Sequence, residues 1–186
     1  MDETSGTLAK DASGNAQDGR LVGGLSFDNN TVTGINGNAL QFDGTDDRVS
    51  ISRILNKDYP RTISAWVKFN HTYNDVAAFI GDAGKYGRHL AIGVNDGKAT
   101  IKAGNGTSYS KAGTTLINDN NWHLITGVFT NETTRHLYVD GLLEAADNIS
   151  VSPPYINRFT VGALEFQAYL SGPLAQHTPG TRDQVT

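Results

Sequence analysis

The clearest pattern of hydrophobic and polar positions runs from Thr62 to Phe69. The residues alternate, one set being Ile63, Ala65, Val67 and Phe69 and the other Thr62, Ser64, Trp66 and Lys68. A period of two with β-branched and aromatic residues predicts a half-buried β-strand. Trp66 falls on the polar side, so either a second layer covers that side or the indole is exposed to a ligand. Because large aromatic side chains are usually buried, we expect Trp66 and Trp122 to be largely buried in a two-layer fold.

Further short runs of the same type follow along the chain and are separated by turn residues. These predicted strands cover residues 39–42, 48–52, 77–82, 89–94, 99–103, 122–130, 134–139, 142–145 and 159–163. Turn residues at 43–47, 95–98 and 140–141 predict three β-hairpins, and the Gly- and Asp-rich residues 1–20 predict a loop without an element. No segment has a convincing helical period. The pattern therefore predicts an all-β fold, an antiparallel two-sheet β-sandwich or jelly roll, as one domain over residues 1–186.

Composition narrows the function classes. The formal net charge is -4 and basic residues are not clustered, which argues against a nucleic-acid partner. There is no cysteine, so disulfides and thiolate metal sites are excluded. No apolar run is long enough to cross a membrane. The start Met1-Asp2-Glu3-Thr4 is acidic and unlike a signal peptide, and we expect the chain to be part of a larger multidomain protein.

Five segments, in this order and spacing, resemble a known family. They are residues 2–6 with 11–15, Ala39 to Asp47, Thr62 to Val67, Asn121-Trp122-His123-Leu124 and Leu137-Tyr138-Val139-Asp140-Gly141. Together they resemble a bacterial laminin-G-like jelly-roll domain of the concanavalin A-like lectin/glucanase superfamily, over about residues 1–165. The resemblance implies two stacked antiparallel sheets in an accessory module that binds glycans or proteins. It does not identify the ligand, because one fold serves many functions.

The C-terminal end departs from this family pattern. Members usually close with a strand carrying an acidic pair and an Arg, and the matching place is expected at residues 172–180, where Pro173 and Pro179 interrupt it. Proline cannot donate to a central ladder, so residues 173–186 are expected to form at most a short edge strand. The segment from Thr181 to Val185 resembles a short helical segment. Truncation after about residue 176 is therefore expected to cost little stability.

The superfamily also contains polysaccharide-degrading enzymes, and two enzyme classes deserve comparison with the chain. A retaining glycosidase needs two carboxyl groups about 5 Å apart, but the four glutamates fall in separate loops or turns, at Glu3, Glu132, Glu144 and Glu165. The run Tyr109-Ser110-Lys111-Ala112-Gly113 is similar to the Tyr-x-Lys-x-Gly stretch of jelly-roll alginate lyases. Their Arg-x-Glu and Gln-x-His strands do not occur here. We therefore expect no catalytic residues and no enzyme activity.

Calcium is the expected cofactor. Asp11, Asn15 and Asp18 share one Gly-broken loop and offer carboxylate and amide oxygens, which Ca²⁺ prefers. The resemblance implies a structural calcium at this loop. The alternative is an Asx-turn loop that is held by its own backbone hydrogen bonds. Asp43, Asp46 and Asp47 form a weaker second cluster.

Exposed aromatic residues beside amide or charged groups are typical of glycan-binding sites. Candidate ligand-binding residues of this kind are Tyr73, Asn74, Tyr86, Arg88, His89 and Tyr109. Polar loops with tyrosine are also ordinary in β-sandwiches, and the five histidines have no metal-ligand spacing.

The sequence predicts a non-catalytic binding module of a larger secreted or cell-surface protein. The expected ligand is a carbohydrate, and a cell-surface protein is the other possible partner. Two alternatives stay open, a structural or adhesive spacer that binds protein and a polysaccharide lyase or glycosidase. Neither nucleic-acid binding nor membrane insertion is expected.

Overall fold

Two stacked antiparallel β-sheets make up the structure, which is a computed structural model. It describes residues 2–52, 58–81, 88–151 and 157–162, and the backbone of residues 183–185. Every strand pairing among the described residues is antiparallel, from β1–β2 at one edge to β9–β10 at the other edge of the larger sheet. The prediction of an all-β two-sheet sandwich is confirmed.

The larger sheet has eight strands. In spatial order they are β1 (Leu8–Ala9), β2 (Gly19–Val22), β5 (Arg48–Ser52), β14 (Arg158–Val161), β7 (Asp75–Gly81), β8 (His89–Asn95), β9 (Lys98–Asn105) and β10 (Thr107–Leu116). The prediction that residues 1–20 contain no element is wrong at β1 and at the start of β2.

The smaller sheet has seven strands. In spatial order they are β13 (Leu142–Asp147), β12 (Arg135–Val139), β11 (His123–Phe129), β6 (Arg61–Lys68), β15 (Asp183–Val185), β4 (Asn38–Phe42) and β3 (Thr31–Thr33). One short helix, α1 (Phe27–Asn30), precedes β3 and buries Phe27.

Alternating side chains from both sheets form one hydrophobic core. On β6, Ile63 and Val67 are buried while Thr62 and Ser64 are exposed, as the period of two predicts. The largest fully buried apolar side chains of this core include Phe42, Phe69, Phe129, Ile92 and Ile101. Each such residue contributes about 1.5–3 kcal/mol through burial, so stacking of the two sheets is the main source of stability.

Two of the three predicted hairpins are confirmed. β8 and β9 turn at Asp96 and Gly97, whose φ angles are 51° and 72°. β12 and β13 turn at Asp140 and Gly141, with φ angles of 50° and 83°. Positive φ at both central positions is the type I′ geometry, which matches the twist of paired strands and explains the Asp-Gly sequence.

The third predicted hairpin is wrong. β4 pairs with β3 and β15, whereas β5 pairs with β2 and β14 in the other sheet. The turn between them is held by Asp43, whose side chain accepts the backbone N–H of Thr45, and by Asp47, which accepts that of Asp43. This turn carries the chain from one sheet to the other.

The prediction for the C-terminal end is also wrong. β15 is short, but it lies between β6 and β4 rather than at an edge. The backbone of Gln184 is paired with that of Gln41 on one side and Lys68 on the other. The interior strand therefore falls at 183–185, beyond both prolines, where a helical segment was expected. Pro173 and Pro179 lie outside the described residues.

Trp66 and Trp122 are only half-buried. Trp66 lies on the outer side of the seven-stranded sheet, opposite to its buried neighbours Ala65 and Val67. The expectation that a second layer encloses Trp66 is wrong, because the core of the sandwich takes the other side of β6. Trp122 lies directly before β11 and is partly buried.

Candidate ligand-binding site

A polar cluster occupies the outer side of the eight-stranded sheet at β7 to β10. Ile101 and Ala103 of β9 face the core, so Lys102 between them lies on the opposite side. Lys102 pairs with Ala91 on β8 and Ser110 on β10. Although it is on the outer side, only 6% of Lys102 is exposed.

A bulge in β7 brings backbone oxygen towards Lys102. The register of β7 and β8 shifts between Val76 and Ala78. Gly93 stands opposite this bulge, and a Cβ at that position would collide with the carbonyl oxygen of Asp75. Glycine at position 93 therefore permits the close approach that aims the Asp75 carbonyl and the preceding Asn74 at β9.

Two neutral oxygens receive the Lys102 ammonium group. Lys102 Nζ donates to Asn74 Oδ1 and, at 3.2 Å, to the carbonyl oxygen of Asp75. Burial lowers the pKa of Lys102 to about 8, and the nearby Asp75 carboxylate opposes that effect. A largely buried ammonium with neutral acceptors costs free energy unless a further group compensates it.

His89 lies beside Lys102 and is 4% exposed. Its Nε2 lies 3.1 Å from Ser108 Oγ on β10, and its ring centroid is 5.8 Å from that of Phe79. Burial and the charge of Lys102 lower the pKa of His89 to about 4. His89 is therefore neutral at pH 7 and acts as a hydrogen-bonding group rather than as a cation.

An aromatic stack adjoins the cluster where the chain enters β7. The rings of His71 and Tyr73 are parallel within 7° and their centroids are 3.7 Å apart. Phe69 meets His71 edge-on at 5.3 Å, and His71 Nε2 lies 3.9 Å from Asp75 Oδ2. His71 is buried and Tyr73 half-buried, so the stack presents tyrosine to the solvent.

The structure brings together three of the predicted ligand-binding residues. Asn74 accepts a hydrogen bond from the Lys102 amine, Tyr73 directly precedes Asn74 in the chain, and His89 is close enough to Lys102 for the lysine charge to lower its pKa. Arg88 is half-buried and directly precedes β8. Tyr109 is 37% exposed but pairs with Ala103, so alternation places it on the other side of the sheet. Tyr86 lies outside the described residues.

Three members of the cluster were missed from the sequence. Lys102 and Ser108 are ordinary polar residues of strands, and His71 is an isolated histidine. A weak signal existed on β9, where Thr100 and Lys102 alternate with the apolar Ala99 and Ile101. Without the strand order, nothing shows that this polar side faces His89 and Asn74.

The predicted metal loop is held by its own hydrogen bonds. Asp11 accepts the backbone N–H groups of Ser13 at 2.8 Å and Gln17 at 2.9 Å. Asp18 accepts that of Asp11 and the Lys10 ammonium group, which lies 2.8 Å away. The pKa of Asp11 is lowered chiefly by its hydrogen bond with Ser13. The pKa of Asp18 is lowered chiefly by its hydrogen bond with Lys10.

These contacts match the Asx-turn alternative, and the Asn15 side chain likewise bonds within the loop, to Ser13. The donor types suit calcium, but the ion would have to displace Lys10 from Asp18. Calcium at this loop therefore stays a prediction.

The second acidic cluster is more compact. One carboxylate oxygen from each of Asp43, Asp46 and Asp47 lies within 4.8 Å of the others. Asp47 is 5% exposed, and burial raises its pKa to about 6, with the negative charges of Asp43 and Asp46 adding to the effect. The cluster also serves the turn between the sheets, through the hydrogen bonds of Asp43 and Asp47.

The described glutamates lie in separate parts of the molecule. Glu3 accepts the backbone N–H of Lys10, Glu132 is in the β11–β12 turn, and Glu144 on β13 binds Thr114 and Thr115. Glu165 lies outside the described residues. Among the described residues, the structure therefore shows no pair of neighbouring glutamates that could serve glycoside hydrolysis.

No helix among the described residues is long and apolar enough to cross a membrane.

Comparison with solved structures shows the fold at low sequence identity. The binding domain of Paraclostridial Mosquitocidal Protein 1 superposes with a TM-score of 0.70 at 13% identity, over 96% of this chain and 46% of that chain. A structure of botulinum neurotoxin type C, whose cell entry depends upon interaction with two ganglioside molecules, gives 0.62 at 12% identity, over 98% and 46%. Domains LG4-5 of the mouse laminin α1 chain give 0.58 at 12% identity, over 80% and 43%. The chain thus spans less than half the length of these proteins.

Sequence comparison identifies the family. No curated protein matches the chain. The family model Laminin_G_3, described as the concanavalin A-like lectin/glucanases superfamily, matches residues 43–184. That range covers most of both sheets and ends within β15. The chain therefore belongs to the concanavalin A-like lectin/glucanase superfamily, as a laminin-G-like domain.

Proposed function

We propose that this chain is a non-catalytic module that binds a glycan, within a larger secreted or cell-surface protein. The observation that carries the proposal is the arrangement around Lys102. The exposed Asn74 amide accepts a hydrogen bond from the buried Lys102 ammonium group, and the half-buried Tyr73, stacked on His71, directly precedes Asn74 in the chain.

Each group has a part in recognising a sugar. The Tyr73 ring, held in place by its stack on His71, offers an aromatic surface for the apolar side of a pyranose. The Asn74 amide keeps its N–H₂ donors, because Lys102 takes only the oxygen. Ser108 and Ser110 on the exposed strand β10 add hydroxyl groups on the same side of the sheet.

The comparisons support a binding role at the level of the fold. The mosquitocidal protein fragment is a binding domain, and the type C neurotoxin interacts with gangliosides, which are glycolipids. Both belong to proteins longer than this chain, which supports a multidomain parent with an extracellular ligand. A cell-surface protein is the alternative partner for the same site.

Two other functions compete with this proposal. A structural or adhesive spacer would bind no glycan through Asn74. A polysaccharide lyase or glycosidase would release products from the glycan. Two features argue against an enzyme: the described glutamates are separated, and Tyr109 lies on the opposite side of β10 from Ser108 and Ser110.

A glycan microarray tests the proposal. We expect the wild-type chain to bind a defined group of glycans, and Asn74→Ala to lose that binding. Asn74→Ala should also melt below wild type, because the buried Lys102 ammonium group loses its hydrogen bond to Asn74 Oδ1, so binding is measured well below both melting temperatures. Asn148→Ala is the matched control, because Asn148 is also exposed but follows β13 in the other sheet. Equal binding by both variants would overturn the assignment of the site, and binding to no glycan would favour the spacer.

A further inference from the structure

Outward side chains at the centre of the seven-stranded sheet are more exposed to solvent than those at the centre of the eight-stranded sheet. Phe79, Ala91 and Lys102 on the outer side of the larger sheet are buried. Six outward residues on the central strands of the smaller sheet are half-buried or exposed. These six, called the platform below, are Ser64, Trp66, Leu124, Thr126, His136 and Tyr138.

Register places the platform residues in neighbouring rows. Trp66 on β6 pairs with Leu124 on β11. Two residues along, Thr126 on β11 pairs with Ser64 on one side and Tyr138 on the other. Trp66 and Tyr138 are therefore separated by two strand spacings across the sheet and by two residues along the strands. These separations place their Cα atoms about 12 Å apart. The rings of His136 and Tyr138 are 6.5 Å apart on β12.

Hydroxyl groups lie between these aromatic rings. Ser64 Oγ and Thr126 Oγ1 are 2.7 Å apart, and Ser64 Oγ also lies 3.5 Å from the carbonyl oxygen of Ile125. Each hydroxyl has one donor and two lone pairs, so this pair keeps acceptor capacity for an incoming hydroxyl group. The platform thus alternates apolar rings with hydrogen-bonding groups.

From this geometry we propose that the platform is a second ligand site, which binds a neutral oligosaccharide. The apolar side of one sugar ring lies on Trp66 and that of another lies on Tyr138, at a separation comparable with the length of a disaccharide. The hydroxyl groups of Ser64 and Thr126 bind the sugar hydroxyls between the two rings. No platform residue is an Asp, Glu, Lys or Arg, and Lys68 stands at its end, so the surface has no cluster of charge to select an acidic ligand.

The size of the platform favours an oligosaccharide over a protein. The platform extends over two strand spacings across the sheet, about 10 Å, and over four residues along the strands, about 14 Å. A stable protein interface buries about 800 Å² on each partner, several times this area. Aromatic rings separated by hydroxyl groups suit a sugar chain, whereas a protein interface of this size needs a more apolar centre.

Calorimetric titration with cellohexaose, xylohexaose, mannohexaose and laminarihexaose tests the proposal. We expect at least one of them to bind, and Tyr138→Ala and Trp66→Ala to weaken that binding by about tenfold or more. Ser64→Lys is expected to block binding without removing buried surface, because Ser64 is exposed. Ala112→Lys on β10 is the matched control, since it puts the same side chain on an exposed position of the other sheet.

The outcomes separate this site from the one at Lys102. The platform is supported if Ser64→Lys loses oligosaccharide binding while Ala112→Lys and Asn74→Ala keep it. This conclusion does not depend on how Asn74→Ala behaves on the microarray. Failure of all four oligosaccharides to bind overturns the proposal, as does equal binding by Ser64→Lys and wild type. A dimer in sedimentation that Ser64→Lys dissociates would also overturn it, because the surface would then bind a second copy of the chain.

Discussion

Lys102 Nζ on β9 donates a hydrogen bond to Asn74 Oδ1, so that an exposed amide covers a largely buried ammonium group. The pair joins the entry of β7 to the middle of β9 across β8. It links stability and binding, because the same amide that satisfies Lys102 in the free protein is the group we assign to the ligand.

Lys102→Met should change the alkaline dependence of stability. The pKa of Lys102 is about 8 in the folded chain and about 10.4 when unfolded. Between these values the unfolded chain binds more protons, so wild-type stability gains roughly 3 kcal/mol from this residue as the pH rises from about 8 to about 10. The variant lacks this gain, which urea unfolding at a series of pH values measures.

Lys111→Met is the control for this measurement, since Lys111 is exposed on β10. If the stability of Lys102→Met relative to wild type changes with pH no more than that of Lys111→Met does, Lys102 is not desolvated as described.

Asp47→Asn should change the acidic dependence of stability in the opposite direction. The pKa of Asp47 is about 6 in the folded chain, above the unfolded value of about 3.9. The folded chain therefore binds more protons between these values, and wild-type stability falls by roughly 2–3 kcal/mol as the pH rises from about 4 to above 6. The variant should lose this decline and be more stable than wild type at pH 7.

Asp46→Asn supplies the comparison in the same turn, because Asp46 is exposed. Parallel stability curves for wild type and Asp47→Asn across this pH range would refute the account of the buried carboxyl group.

The interior position of β15 predicts a strong effect from one proline. Gln184→Pro removes a backbone N–H from a strand paired on both sides and should cost about 3 kcal/mol or more. Gln184→Ala keeps the N–H and is the matched control, with an expected effect well under that of proline. Thermal unfolding that shows equal loss in the two variants would place this strand at an edge.

Much of the fold could be predicted from local pattern, and the exceptions depend on information that is not local. Alternation located β6, and the Asp-Gly signals located the turns at Gly97 and Gly141. The Asp-Gly sequence at Gly44 wrongly predicted a hairpin. The turn sequence alone does not determine whether the two flanking strands pair with each other or join different sheets. β15 was missed because three residues carry little pattern, although they close a sheet.

The site shows the same limit. Tyr73, Asn74 and His89 were proposed from their chemistry and remain a prediction as ligand-binding residues, whereas Lys102 and Ser108 become neighbours of His89 only through the order of β8, β9 and β10. The burial of Trp66 was predicted wrongly, because alternation assigns a side of the strand and does not show whether another layer covers that side.

Calcium binding at Asp11, Asn15 and Asp18 predicts a melting temperature that depends on the ion. At about a hundredfold excess over Kd, an ion that binds only the folded chain stabilises it by about 2.7 kcal/mol, and chelation should reverse this by several degrees. Lys10→Met should enlarge the response, since Lys10 competes for Asp18, and Asp11→Ala should abolish it. Superimposed melting curves with calcium and with chelator would assign the loop to its own hydrogen bonds.

The central claim, a non-catalytic module that binds glycans through Tyr73, Asn74 and Lys102, is tested most directly by one titration. Isothermal titration of the chain with the glycan selected on the microarray should give saturable binding, with the glycan recovered intact by chromatography afterwards. Asn74→Ala should bind about tenfold or more weakly, which corresponds to about 1.4 kcal/mol, and Asn148→Ala should bind as wild type does. Unchanged affinity in Asn74→Ala would contradict the site, and a cleaved glycan would contradict the non-catalytic role.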